Sequence, residues 1–165
     1  MFAIFPLLAM AATPPPPSAV LESPTRHIRT TGPYVATLLK DGFYRSPTFA
    51  RLVTRLERSD LIVYVEAVPK LPPGVEGRMM MTPRTHDQRY VRIQISILGS
   101  IADQIALLGH ELQHARELAD APNVVDMTGF VALFERIGKR SGSGSREYET
   151  REAQETARQV RRELI

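Results

Sequence analysis

Cysteine is absent from the 165 residues, which removes disulfides, thiolate metal ligands and cysteine nucleophiles together. Any metal must therefore be held by histidine or a carboxylate. Tryptophan is also absent, and histidine occurs only at 27, 86, 110 and 114. No apolar run reaches the ~20 residues of a membrane-spanning helix, so no stable membrane anchor is expected. A strong charge bias is missing too: 21 Lys and Arg stand against 18 Asp and Glu, and the arginines are scattered among the acids. Nucleic-acid surfaces concentrate their positive charge, so nucleic acid is not an expected partner. What remains is the composition of a soluble globular chain, 43% hydrophobic and 24% charged, long enough for one core.

The front of the chain reads differently from the rest. Residues 1–12 are apolar and uncharged and end in the small-residue run Ala9-Met10-Ala11, the pattern of a signal peptide; Pro6 interrupts the stretch and no basic residue precedes it. Residues 13–25 are proline-rich and read as an extended spacer. The expectation is an exported protein, periplasmic or extracellular, whose folded domain covers residues 26–165.

Within that domain, hydrophobic periodicity predicts two short helices between Tyr34 and Ser59, interrupted at Gly42 and Pro47. The β-branched run Leu61 to Val68 predicts a central strand, and Gly77 to Thr82, with Met79, Met80 and Met81, a second. From Tyr90 to Ile97 the alternation puts Val91, Ile93, Ile95 and Ile97 on one face and Tyr90, Arg92, Gln94 and Ser96 on the other. Ser100, with Asp103 three residues later, opens a helix running to about Ala119 with Ile101, Ile105, Leu108 and Leu112 on its core side. Further helices are expected at Met127 to Ile137, ended by Gly138, and at Arg146 to Leu164, after the Ser141 to Ser145 linker. The fold class is α+β: a small, mostly antiparallel sheet packed against helices.

The helix from Ser100 contains His110-Glu111-Leu112-Gln113-His114. Residues i and i+4 share one helix face, so the two imidazoles can meet one metal ion, while Glu111, turned by about 100°, can take a proton from water at that metal. Zinc is the expected ion and Glu111 the general base of a hydrolysis. Two solvated histidines on an amphipathic helix would be the plainer explanation. Against it stands Gly109, which weakens a merely exposed helix and instead permits close approach of a neighbour.

Residues Ile97 to Ala157, roughly the last half of the chain, resemble the zincin superfamily of zinc metallopeptidases, and the motif order is similar to its gluzincin branch. The resemblance implies that His110 and His114 bind zinc, that Glu111 is the base and that a glutamate on a later helix completes the site. The chain carries no Asn-Glu-Ala-x-x-Asp run, so the likeness stays at the level of the branch. Four acids compete for the third position. Glu117 shares the face of the two histidines, but three turns of one straight helix cannot close around one ion. Asp120 stands where the metzincin pattern has its third ligand, yet Glu117 replaces the glycine that pattern needs to turn the chain. On the last helix, Glu149 lies about 50° from the centre of the apolar stripe and Glu152 about 110°. Glu149 is therefore preferred, although Glu152-Ala153 looks more like the gluzincin local sequence.

His27 and His86 are expected to be exposed, Tyr64 and Tyr90 to be packing residues, and Tyr148 or a nearby arginine to be available to an oxyanion. The function expected is a zinc-dependent peptidase or amide hydrolase acting on a peptide or protein. The alternatives are an inactive zincin-like protein that binds metal or a partner, and a small helical protein that binds an acidic partner through its basic C-terminal helix.

Overall fold

Prolines begin the first two helices of the computed structural model, which describes residues 25–85, 88–140 and 148–165. The expected signal peptide, nearly all of the spacer, His86 and the Ser141 to Ser145 linker lie outside the described residues. A short strand, β1 (Ile28–Thr30), leads into α1 (Pro33–Arg45), α2 (Pro47–Leu56) and β2 (Leu61–Val68). Gly42, expected to interrupt the first helix, lies inside it. A Cβ there would fall 2.9 Å from Ile105 Cγ2 and 3.0 Å from the Phe49 ring, so its missing side chain permits close packing. The break falls at Ser46, whose hydroxyl caps α2 by accepting from Phe49 N at 3.1 Å.

β3 (Gly77–Thr85) and β4 (Gln88–Ser96) form an antiparallel pair. The sheet order is β1-β2-β4-β3, with β1/β2 and β2/β4 parallel. The sheet is thus mixed and not mostly antiparallel. The reason is that β4 returns from β3 into the slot beside β2, and that α1 and α2 form the crossover that parallel β1 and β2 require. β2 is central, as its apolar run predicts. Val91, Ile93 and Ile95 of β4 are fully buried, but the strand ends at Ser96, which leaves Ile97 exposed.

Next come α3 (Ile101–Ala119), α4 (Met127–Ile137), the two-stranded pair β5 (Lys139–Arg140) and β6 (Tyr148–Glu149), and α5 (Arg151–Leu164). The capping box at the start of α3 forms as read: Ser100 Oγ accepts from Asp103 N at 3.2 Å and Asp103 Oδ2 from Ser100 N at 3.0 Å. The expectation of a one-sided helix is too weak, however. Ile101 is exposed, while Glu111, Gln113 and His114 are buried alongside Ile105, Leu108 and Leu112. α3 packs against the sheet, α1, α2 and α5 together. Gly109 supplies the close approach expected of it, since a Cβ there would meet Val160 Cγ2 of α5 at 3.1 Å.

The far end of α3 is held by Arg89, a buried residue of β4. Its guanidinium pairs with Asp60 at 2.7 and 2.8 Å and donates to the carbonyls of Leu118, Ala121 and Val124 at 2.9 to 3.0 Å. A cation on a last-turn carbonyl and on those of the turn that follows satisfies orphan acceptors and complements the negative end of the helix dipole. The motif helix is therefore fixed at both ends.

Candidate metal centre

His110 and His114 stand one turn apart on α3, with ring centroids 4.9 Å apart. Glu149 meets them from the side. Its Oε1 lies 3.2 Å from His110 Nε2 and 3.8 Å from His114 Nε2. The three donor atoms all lie within 4.8 Å of one another. Donors about 2.1 Å from a tetrahedral ion are about 3.4 Å from each other, so this group is spaced to hold a metal. Glu149 Oε1 is buried and makes no hydrogen bond of good geometry, even to His110 at 3.2 Å. A buried carboxylate oxygen in that state is costly unless a cation completes it.

Glu149 lies in this group, but the reason given for preferring it does not hold. The last helix starts at Arg151, not Arg146, because Thr150 is its N-cap: Thr150 Oγ1 accepts from Ala153 N at 3.1 Å. Glu149 belongs to β6, just before the cap, so its place on a helical wheel has no meaning. Glu152 is exposed in the first turn of α5. Asp120 closes α3 at the surface, 2.5 Å from Arg55 and 3.4 Å from Arg116. Neither joins the metal group among the described residues.

Glu117, set aside as a ligand, has a different position. Its Oε2 lies 3.0 Å from His114 Nδ1, and its Oε1 accepts from Thr150 Oγ1 at 2.8 Å and from Gln113 Nε2 at 3.3 Å. Proton donation by Nδ1 fixes the tautomer that leaves Nε2 for a metal. The same carboxylate ties α3 to the residue after Glu149. The signal was in the sequence: an acid three residues after a helical histidine is its neighbour on the helix surface.

Burial disfavours a charged imidazole at His110, yet Glu149, Glu111 and Glu117 outweigh it and raise its pKa above the ordinary value. Burial likewise disfavours the ionised Glu149, but His110 and His114 hold its carboxyl below the usual range. Without metal, the two groups therefore favour a protonated imidazole beside an ionised carboxylate. A metal ion bound there would take the place of the proton on His110.

Glu111 is also buried, and it leans on the sheet. A Cβ at Gly77 of β3 would lie 2.5 Å from Glu111 Oε1, so any side chain there would push the carboxylate from its place. Phe134 of α4 meets the His114 ring edge-on at 5.5 Å and, with Phe130, supplies an apolar wall. The site opens into a cleft of about 910 Å³ lined by α3, α5, the start of β3 and the Lys70 to Glu76 loop. Tyr148 lines it too, with its hydroxyl donating to Glu135 at 2.9 Å.

No protein-family model, curated protein or solved structure matches this chain. The site must speak through its own chemistry.

The other sequence-level candidates lie elsewhere. His27 is half-buried rather than exposed, and its backbone N–H donates to Glu57 at 2.9 Å. Tyr64 and Tyr90 stack at 6.5 Å on the sheet face away from α3, with Arg29 above Tyr64.

Proposed function

We propose that this chain is a zinc-dependent hydrolase of peptide or other amide bonds, similar in its site to the gluzincin branch of zincins. The observation that carries the reading is the meeting of Glu149 with both histidines of one buried helix, beside an open cleft. Two imidazoles, one carboxylate and no thiol form a donor set suited to zinc, and three protein ligands at a cleft are typical of a catalytic rather than a structural ion. When bound, the ion supplies Lewis acidity, which polarises a carbonyl and lowers the pKa of water.

The chain's own residues do the rest. His110, His114 and Glu149 hold the ion, and Glu117 orients His114. Glu111 accepts the proton of the attacking water and can return it to the leaving amine. β4 offers no free edge to an extended peptide, because it is paired on both sides. β3 is the outer strand beside α3, and its Gly77, Arg78 and Met79 line the cleft. A substrate backbone would add to that edge.

Among the described residues no helix is long and apolar enough to cross a membrane. Export of the mature chain from about residue 13 rests on the sequence alone, and intact mass from the native host tests it. The test of function is Glu111→Gln after zinc reconstitution. Zinc should stay bound at about one equivalent while peptide turnover falls at least 100-fold, in line with loss of a general base. Undiminished turnover would refute the role of Glu111. Bound zinc with no hydrolysis by the unaltered chain would favour a metal-binding protein instead.

A further inference from the structure

α5 forms one wall of the cleft and presents Ala157, Arg158 and Arg161 to it. The two arginines are not equivalent. Arg161 reaches Asp103 of α3 at 2.6 Å and is neutralised there. Arg158, one turn nearer the metal group along α5, is exposed and has no hydrogen-bond or ion-pair partner among the described residues. Of the acids that line the cleft, Asp103 is committed to Arg161, Glu149 to the metal group and Glu111 to its place against Gly77, while Glu76, on the loop that leads into β3, forms no ion pair with Arg158. Arg78 is occupied on the sheet, where its Nε donates to Gln94 at 2.6 Å. Arg158 is thus a cation at the cleft that none of the acids lining it pairs.

We infer that Arg158 binds a carboxylate of the substrate, so that the cleft selects acidic peptides cleaved near that carboxylate. The inference rests on the hydrolase reading for its location but names a separate residue and a separate interaction. Arg158 lies seven residues into α5, about 10 Å along the helix axis from the residues that follow Glu149. An extended peptide advances about 3.4 Å per residue, and the arginine side chain adds reach of its own. The carboxylate it meets therefore belongs to a residue one to three positions from the scissile bond. That group is either an Asp or Glu side chain or the free C-terminus of the peptide. Both offer the two coplanar oxygens that a guanidinium binds through paired N–H donors.

The test uses one neutral peptide scaffold carrying Asp, Asn or Lys at each of three positions on either side of the scissile bond, with a free or an amidated C-terminus. Binding is measured by calorimetry on zinc-loaded Glu111→Gln protein, in which peptides can bind without being consumed. A peptide with Asp, or with a free C-terminus, should bind about 10-fold more tightly than its Asn or amidated counterpart, the low end for a charged hydrogen bond at a partly solvated site. The Asp and C-terminal series tell the two sources apart. Arg158→Ala on the same background should bring the ratio to about one, and Arg158→Glu should turn it towards Lys. The exposed position of Arg158 leaves the fold intact, which an unchanged melting temperature verifies.

A ratio that persists in Arg158→Ala, a wild-type ratio near one, or the absence of any peptide binding overturns the inference. Turnover of the same peptides by the chain with Glu111 in place separates the two readings. Cleavage without preference for acid defeats the inference alone. Arg158-dependent binding without cleavage of any peptide defeats the hydrolase reading and leaves the carboxylate site standing.

Discussion

Removing the Glu117 carboxylate isolates the support of the candidate metal site from the site itself, because Glu117 touches His114 and the neighbour of Glu149. Its side chain is only 11% exposed, and it joins His114 Nδ1 at 3.0 Å to Thr150 Oγ1 at 2.8 Å. In Glu117→Ala the Nδ1–H of a buried imidazole loses its acceptor, at a cost of about 1–3 kcal/mol. Much of that cost falls equally on the metal-free and metal-loaded protein. What differs between them is the orientation and basicity of His114, so zinc affinity should fall about 10- to 100-fold, or about 1.4–2.7 kcal/mol. Glu117→Gln should lose nearly as much. Glutamine has one acceptor oxygen where Glu117 uses Oε1 for Thr150 and Oε2 for His114, so one partner must be given up. The assay is competition for zinc against a chromophoric chelator, run beside Glu149→Ala, which should be weaker still, and beside Glu152→Ala and Asp120→Ala, which should match wild type. Wild-type affinity in Glu117→Ala, or a larger loss in Glu152→Ala, would show the reasoning to be wrong.

Three further outcomes follow from the packing. Gly77→Ala puts a methyl 2.5 Å from Glu111 Oε1, which must shift the carboxylate by about 1 Å; turnover should drop by about 100-fold while zinc stays bound, and equal turnover would contradict the close approach. Arg89→Met leaves Asp60 and the carbonyls of Leu118, Ala121 and Val124 without their donor, so chemical denaturation should show a loss of about 3–5 kcal/mol, with a loss under 1 kcal/mol as the refuting result. Glu163 is disfavoured as an anion by burial, but hydrogen bonds from Ser46, Gln159 and Thr48 prevail and hold its pKa at about 2, below the ordinary 4.5. A lowered folded-state pKa contributes stability above pH 4.5 that disappears as the pH falls towards 2. Glu163→Gln should therefore melt at a lower temperature than wild type at pH 7, by about 1–2 kcal/mol after solvent screening, and the gap should close near pH 2; a gap independent of pH would exclude this clamp.

Short-range periodicity carried much of this molecule. Ser100 and Asp103 announce the start of α3, and four-residue spacing alone puts His110 and His114 on one face. The apolar run of β2 and the alternation of β4 mark both strands, since those patterns depend on neighbours within a few residues. Glu149 was reached from the sequence by an argument about a helix it does not belong to. Its true position follows from Thr150 capping α5 and bonding to Glu117, a contact that joins residues 33 apart. The sheet order was illegible for a similar reason: nothing local tells β4 to return beside β2, and β1 is too short to show a period. Nor does periodicity distinguish Arg89 from the polar residues around it, because its role appears only when the end of α3 comes to rest on the guanidinium. The sequence by itself determined the helix and the placing of His110, Glu111 and His114 along it. Only the tertiary structure decided which carboxylate joins them, because bringing distant segments into contact depends on how whole faces pack, and local spacing carries no record of that.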